Sequence, residues 1–302
     1  MIDFFDNYRL IKEFNDGHRR KFGNVFLVEE KATHAKFVLK KVNKSETNVT
    51  AQERLRNEAI FQFDFPGLPR KIEFIETAET LILMKQFVEG ETLEAYWNQL
   101  PRRNRPAELI HILQELVPIF DFLKHNNIVH ADIKPSNILV NKTNEKRFVS
   151  LIDFGMALNL NQNEHRTILF PIGYAAPELL LNKLDLVDHR TDLYALGITL
   201  WKLMDGKLPL FHPNPSIFTN LQLTHPLPFS NEIRKKTQEL LSKMCSKYQF
   251  KTAPNRMSEK MVREKLSVGM NNRYGSLNEF VKDYQTILHQ HKWYHFFNKN
   301  LF

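Results

Sequence analysis

Residues 128–140 read Ile-Val-His-Ala-Asp-Ile-Lys-Pro-Ser-Asn-Ile-Leu-Val, and this stretch decides how the rest of the chain is interpreted. An apolar lead-in and an apolar strand flank a polar loop in which Asp132 and Asn137 lie five residues apart. Fourteen residues after Leu139, a second β-rich run delivers Asp153 directly into a turn. Phosphoryl transfer needs carboxylate and amide oxygens of this kind, to hold metal ions and to align an acceptor hydroxyl.

Working outward, the first 84 residues read mainly as short strands with one helix. β-Rich runs occupy residues 25–28, 37–42, 72–75 and 80–84, and apolar residues recur at helical spacing within residues 50–63. After Gly90 the patterns become mostly helical, with long apolar stripes over residues 107–125 and 192–204. The expected fold class is α+β, with a small β-rich lobe followed by a larger helical lobe.

Composition places the chain among ordinary globular proteins. It has 302 residues, of which 42% are hydrophobic and 25% charged, enough for two lobes. No apolar run approaches the roughly 20 residues that span a bilayer, and the amino terminus does not have the pattern of a secretory signal. The single cysteine, Cys245, cannot form an intrachain disulfide. We therefore predict a cytoplasmic protein with no membrane partner.

The net charge of +8 admits two interpretations. Basic clusters are scattered along the chain with acidic residues between most of them, which favours a solvated basic surface. No zinc-finger spacing or RNA-binding aromatic signature accompanies the charge, so no nucleic-acid partner is expected. A nucleic-acid-binding protein is the weakest alternative.

Taken in order, seven segments make the chain resemble the eukaryotic-like protein kinase family. Each is short, but their order matches the family over nearly the whole chain. They are the lysine-bearing run 37–40, a helix with Glu58, the catalytic loop 130–137, the triplet Asp153-Phe154-Gly155, the triplet Ala176-Pro177-Glu178, the run 192–197 and the run 273–280. The resemblance implies a single bilobal kinase domain over residues 1–302, with an N-lobe at 1–84, a hinge at 85–89 and a C-lobe at 90–302.

The resemblance also implies roles for individual residues in the use of ATP and Mg²⁺. Lys40 would hold the α- and β-phosphates, oriented by Glu58, while Asn137 and Asp153 would bind Mg²⁺. Asp132 would accept or orient the substrate hydroxyl, and Lys134 would steady the γ-phosphate. These side chains are expected to meet at one nucleotide site. Further expected contacts are backbone groups of the hinge at Gln86 and Val88, the loop residues Gly23 and Val25, and an ion pair of Glu178 with Arg273 or, alternatively, Arg256.

The chain departs from the family pattern in its glycine-rich loop. Over residues 16–25 only Gly23 and Val25 fit the end of that pattern, and Gly17 is displaced. Close approach of backbone to phosphate normally needs glycine, because glycine has no Cβ. The basic run 19–21 either reaches over the phosphates in compensation or faces solvent; the sequence leaves both open.

A second departure is Ala131, which replaces the arginine that commonly precedes the catalytic aspartate. In the family that arginine meets a phosphorylated activation loop. Alanine cannot do so, and we predict activity without activation-loop phosphorylation. Thr167 and Tyr174 are the hydroxyl side chains between Asp153 and Glu178.

The acceptor residue is indicated by Lys134, which is typical of serine/threonine kinases, although residues 170–172 resemble tyrosine kinases. We predict a serine/threonine-specific protein kinase acting on a protein substrate. Lys85, just before the hinge, is unusually polar for its position and either reaches solvent or pairs with an acid. The alternatives are a pseudokinase scaffold and a small-molecule kinase. Substrate identity and oligomeric state stay open.

Overall fold

The computed structural model describes residues 4–14, 23–143, 146–162 and 170–299. The glycine-rich segment before Gly23 and the candidate phosphosite Thr167 lie outside these ranges. The chain divides into two units, one formed by Met1–Gly90 with Ser150–Ala157 and the other by Glu91–Val149 with Leu158–Phe302. The segment that carries Asp153 therefore packs with the first unit, although it comes much later in the sequence.

The first unit is built on a five-stranded antiparallel sheet. Its strands are β1 (Tyr8–Glu13), β2 (Asn24–Glu30), β3 (Lys36–Asn43), β4 (Lys71–Glu76) and β5 (Thr80–Gln86). They lie in the order β1-β2-β3-β5-β4. The register between β3 and β5 places Val38 opposite Lys85 and Lys40 opposite Leu83.

Helix α1 (Val49–Ile60) lies on one face of this sheet. Its residues Ala51, Leu55 and Ala59 are buried together with Val42 of β3 and with Leu81 and Leu83 of β5. Because these three positions recur at a spacing of four residues, they form one stripe of the helix. Burial of this stripe fixes which face of α1 points toward the sheet, and Glu58 lies one residue before Ala59 on that side.

The second unit is mostly helical. Helix α5 (His189–Asp205) has side chains that are buried almost throughout, among them Tyr194 and Trp201. Asp188 caps the start of α5 by accepting a hydrogen bond from the N–H of Arg190, and Gly206 ends the helix at φ +85°. The helices are α2 (Leu93–Gln99), α3 (Arg105–His125), α4 (Pro177–Leu180), α5 (His189–Asp205), α6 (Pro215–Thr224), α7 (Lys235–Met244), α8 (Glu259–Asn271) and α9 (Leu277–Lys299).

Short strands carry the polar loop of the second unit. Strand β7 (Ile128–Val129) pairs with β10 (Leu158–Asn159), and β8 (Ile138–Thr143) lies between β6 (Glu91–Thr92) and β9 (Lys146–Leu151). The loop 130–137 therefore begins at one strand and ends at another, which holds both of its ends.

The expected α+β class, with a β-rich N-terminal part and a helical remainder, is confirmed. The predicted stripe of residues 107–125 lies in α3, where Leu109, Ile112 and Leu116 are fully buried. Within the described residues, no helix is long and apolar enough to cross a membrane.

Candidate active site

In the first unit, Lys40 of β3 joins two carboxylates that come from distant parts of the sequence. Its Nζ donates to Glu58 Oε2 of α1 at 2.6 Å and to Asp153 Oδ1 at 2.9 Å. The side chain of Glu58 is almost fully buried, whereas that of Asp153 is 44% exposed. One carboxylate is thus held inside the unit while the other faces outward.

Charge pairing determines the protonation of this group. Burial opposes the charge of Lys40, but the carboxylates of Asp153 and Glu58 outweigh it and raise the pKa of the lysine above its ordinary value. Burial likewise opposes ionisation of Glu58, yet Lys40 and Lys85 together lower the pKa of this carboxyl. Both partners are therefore charged at neutral pH.

Asp153 has a left-handed backbone, with φ +70° and ψ +73°. This conformation is uncommon for a residue with a Cβ and persists only where the surroundings impose it. The following residue, Phe154, is fully buried, and its ring centroid lies 4.5 Å from that of Phe63 and 6.0 Å from that of Phe61. The anchored phenylalanine fixes the turn that presents the carboxylate.

A side chain that the sequence motifs did not single out also holds this turn. Asn57 Nδ2 donates to the backbone oxygens of Ala157 at 2.8 Å and Gly155 at 3.2 Å, with Phe154 O at 3.5 Å. An amide nitrogen has two hydrogens, so the two shorter contacts account for both. Asn57 and Glu58 are adjacent on α1, and together they connect this helix to both the turn and Lys40.

Gly23 immediately precedes β2, and Val25 is the second residue of that strand. Gly23 has φ +92°, and a Cβ there would come within 2.6 Å of both Lys41 O and Val42 Cγ2. Glycine is therefore required at this position by the backbone of β3 itself. Val25 is opposite Lys40 in the register of β2 and β3.

The segment after β5 is tied back to the sheet. Gln86 donates its N–H to Arg70 O at 2.8 Å, and Phe87 donates to Lys36 O at 3.3 Å. Gln86 can therefore offer an adenine its carbonyl oxygen but not its N–H. Val88, the second residue expected to face adenine, comes two residues later.

In the second unit, the loop between β7 and β8 brings together Asp132, Lys134 and Asn137. Lys134 Nζ donates to Asp132 Oδ2 at 2.6 Å, and Asn137 Nδ2 donates to the same oxygen at 3.0 Å and to Asp132 O at 2.8 Å. Asp132 and Asn137 are buried, and Lys134 is partly exposed. Because the amide nitrogen of Asn137 is directed at Asp132, its Oδ1 points away; this oxygen accepts from Ser136 Oγ at 3.4 Å and keeps a second lone pair that can bind a metal.

Asp192 at the start of α5 holds the backbone before Asp132. Its Oδ2 accepts the N–H of His130 at 2.7 Å and its Oδ1 accepts that of Ala131 at 2.9 Å. Ala131 has φ +60°, a conformation that costs an alanine roughly 1–2 kcal/mol. Burial raises the pKa of Asp192 to about 7, although the two N–H donors act in the opposite direction.

Comparison with known proteins shows which family the chain belongs to. The model of the protein kinase domain family matches residues 19–265, which is most of the chain. The chain belongs to this family. The matched region of the kinase domain includes the group around Lys40 in the first unit and the group around Asp132 in the second.

Relatives of this kinase domain are themselves named as kinases. A probable serine/threonine-protein kinase, PknB, of Lactococcus lactis is 27% identical over 85% of this chain and 40% of its own length. A serine/threonine-protein kinase of Myxococcus xanthus is 27% identical over 73% of this chain and 27% of its own. Myosin light chain kinase A of Dictyostelium discoideum is 28% identical over 54% and 56%, respectively. The chain therefore spans less than two thirds of the length of each of these relatives.

Proposed function

We propose that this kinase domain transfers the γ-phosphoryl group of ATP to a serine or threonine hydroxyl of a protein substrate. The contact of Lys40 with both Glu58 and Asp153 carries the proposal, because a binding module has no chemical need of this arrangement of charge. Lys40 is the residue we assign to the α- and β-phosphates, and Glu58 keeps its ammonium in place.

Each of the two units supplies an oxygen of a kind that Mg²⁺ accepts as a ligand. Mg²⁺ in kinases is held by one or two protein oxygens together with substrate phosphates, and it offsets the charge that develops on the transferred group. Asp153 supplies a partly exposed carboxylate, and Asn137 supplies an amide oxygen directed away from Asp132. We assign these two side chains to the metal.

We assign the acceptor hydroxyl to Asp132. A general base must be ionised and fixed in orientation, and the contacts from Lys134 and Asn137 to Oδ2 serve both needs. In the reaction, Lys134 would exchange part of this contact for the γ-phosphate. The proton of the hydroxyl would pass to the carboxylate of Asp132 as the hydroxyl oxygen bonds to the γ-phosphorus, while the bond from that phosphorus to the β,γ-bridging oxygen breaks and ADP leaves.

Within this family, a lysine at the position of Lys134 is typical of kinases that phosphorylate serine and threonine. The names of the relatives from Lactococcus lactis and Myxococcus xanthus are consistent with this choice. We keep tyrosine as the outcome that would contradict it.

We also propose that activity does not require a phosphorylated activation loop. Ala131 ends in a methyl group that cannot pair with a phosphate, and its backbone is already held by Asp192. This hydrogen bond is made by the backbone N–H within the second unit and does not depend on a phosphorylated residue. Thr167→Ala should therefore keep most of the activity, and phosphatase treatment of the purified protein should leave its rate unchanged.

The deciding experiment is transfer of radiolabelled phosphate from ATP in the presence of Mg²⁺ to a mixture of generic protein substrates. Wild type should label the substrates, while Asp153→Ala and Asp132→Ala should lose about three orders of magnitude or more, as expected when a metal-binding carboxylate or a general base is removed. Phosphoamino-acid analysis of the product should give phosphoserine or phosphothreonine. Equal labelling by wild type and Asp153→Ala would mean that the domain is not a catalyst.

A further inference from the structure

Lys85 is a buried lysine for which the proposed reaction has no assigned role. It lies on β5 with 3% of its surface exposed, and its Nζ donates to Glu58 Oε1 at 2.9 Å. The same ammonium lies over the ring of Phe154, 5.6 Å from the ring centroid. An ammonium in such surroundings is unfavourable unless a carboxylate compensates it, so the pair with Glu58 is a condition for burying either group.

Glu58 consequently binds one lysine at each carboxylate oxygen. Lys40 of β3 contacts Oε2 and Lys85 of β5 contacts Oε1. The two pairs differ in burial, because the side chains of Lys85 and Glu58 are about 4% and 3% exposed whereas that of Lys40 is 21% exposed. The innermost partner of Glu58 is therefore Lys85.

The four side chains also balance each other in charge. Lys40 contacts both Glu58 and Asp153, and Lys85 brings a second ammonium to Glu58. With Lys85 present, two cations match two anions. This balance matters most when Lys40 and Asp153 take up new partners.

We propose that Lys85 is a positioning residue, which keeps Glu58 anchored to β5 while Lys40 acts on the nucleotide. This inference rests on the proposed function, in which Lys40 contacts phosphate and Asp153 contacts the metal. Lys40 and Asp153 then give up part of their contact with each other for the phosphate and the metal. The pair of Lys85 with Glu58 includes neither of these two residues. Helix α1 thereby stays fixed on the sheet, and Lys40 returns to the same carboxylate oxygen in every cycle.

The first test is a double-mutant cycle read by thermal unfolding, which does not depend on activity. Lys85→Met keeps the length of the side chain but removes the charge, and it should lower the midpoint. In the Glu58→Gln background Lys85 is a buried cation without its carboxylate, so there the same substitution should cost nothing or raise the midpoint. Lys36→Met, at an exposed position of β3, is the matched control and should shift neither background.

The second test measures steady-state kinetics with ATP on the same proteins. Lys85→Met should lower kcat/KM by about tenfold, mainly through kcat, and should add no further loss to Glu58→Gln. Equal midpoint losses in both backgrounds, or a Lys85→Met variant with wild-type kcat/KM, would overturn the proposal. A wild-type protein without transfer activity would contradict the proposed function alone, because ATP affinity, measured by titration, and the unfolding cycle would still decide the role of Lys85.

Discussion

Arg273 and Glu178, which are 95 residues apart, form a fully buried ion pair with two parallel hydrogen bonds. Arg273 Nη1 lies 2.6 Å from Glu178 Oε1, and Nη2 lies 2.9 Å from Oε2. The hydroxyl of Thr191 also donates to Oε1, at 2.8 Å. The sequence offered Arg273 and Arg256 as partners for Glu178, and the first is confirmed while Arg256 is exposed on the surface.

Removal of Arg273 should destabilise the second unit strongly. Arg273→Leu leaves the Glu178 carboxylate buried without its guanidinium, a change that typically costs about 3–5 kcal/mol. The loss should appear in the free energy of unfolding measured with urea. Arg256→Leu serves as the control and should change that free energy by no more than about 0.5 kcal/mol. Similar losses from the two substitutions would show that the ion pair does not stabilise the unit.

Asn57 gives a prediction for the first unit. Asn57→Ala removes the donor shared by the backbone oxygens of Gly155 and Ala157 and should cost about 1–3 kcal/mol. Asn57→Asp should cost more, because its carboxylate would face carbonyl oxygens instead of donating to them. Urea unfolding of both variants checks the order.

A matched amide-to-carboxylate change is available at the exposed Gln62, whose Nε2 donates to Lys71 O at 3.3 Å. Gln62→Glu should be nearly neutral. If Asn57→Asp were as stable as Asn57→Ala, the hydrogen bonds from Asn57 to the turn would not be what stabilises this part of the first unit.

The fold class was predictable because burial follows the period of the apolar residues. The stripe over residues 107–125 and the β-rich runs gave α3 and the central strands, with ends displaced by a few residues. Helix α5 begins at His189, three residues before the apolar run, because Asp188 caps it. Capping depends on one polar side chain and leaves no period in the sequence.

Side chains that position other groups were harder to foresee than the groups themselves. Asp132, Asn137 and Asp153 have a characteristic spacing, whereas Asn57 acts on backbone oxygens about 100 residues away. The polarity of Lys85 was visible, and pairing with an acid was one of its two predicted fates; its partner Glu58 became evident only from the contact of α1 with β5. Sequence distance hides such pairs, since neither residue predicts the position of the other.

Asp192 should be sensitive even to replacement by its own amide. Asp192→Asn retains one acceptor oxygen for the N–H groups of His130 and Ala131 and turns an NH₂ group toward the other. An unsatisfied buried donor costs about 1–3 kcal/mol, and Ala131 would lose support for its positive φ. We expect lower stability and a fall in phosphate transfer of about tenfold or more.

The measurement is urea unfolding together with a transfer assay under conditions where the variant stays folded. Asp205→Asn makes the same change at the other end of α5, away from the loop 130–137, and it should leave transfer unaffected. Wild-type transfer by Asp192→Asn would show that this carboxylate does not position the loop.

Lys247 gives a dependence of stability on pH. Its Nζ donates to Gln222 O at 2.6 Å, and burial, helped by Arg273 and opposed by Cys245, lowers its pKa to about 8 from the usual 10.5. Between these two pKa values the unfolded chain binds more protons than the folded protein, so the free energy of unfolding rises with pH.

Lys247→Met removes this contribution. The stability of wild type relative to Lys247→Met should therefore increase from pH 8 toward pH 10, as measured by urea midpoints at pH 7.5 and 9.5. Lys251→Met, at an exposed lysine nearby, should give the same difference from wild type at both pH values. A Lys247→Met difference that stayed constant with pH would mean that the ammonium keeps its proton in the folded protein throughout this range.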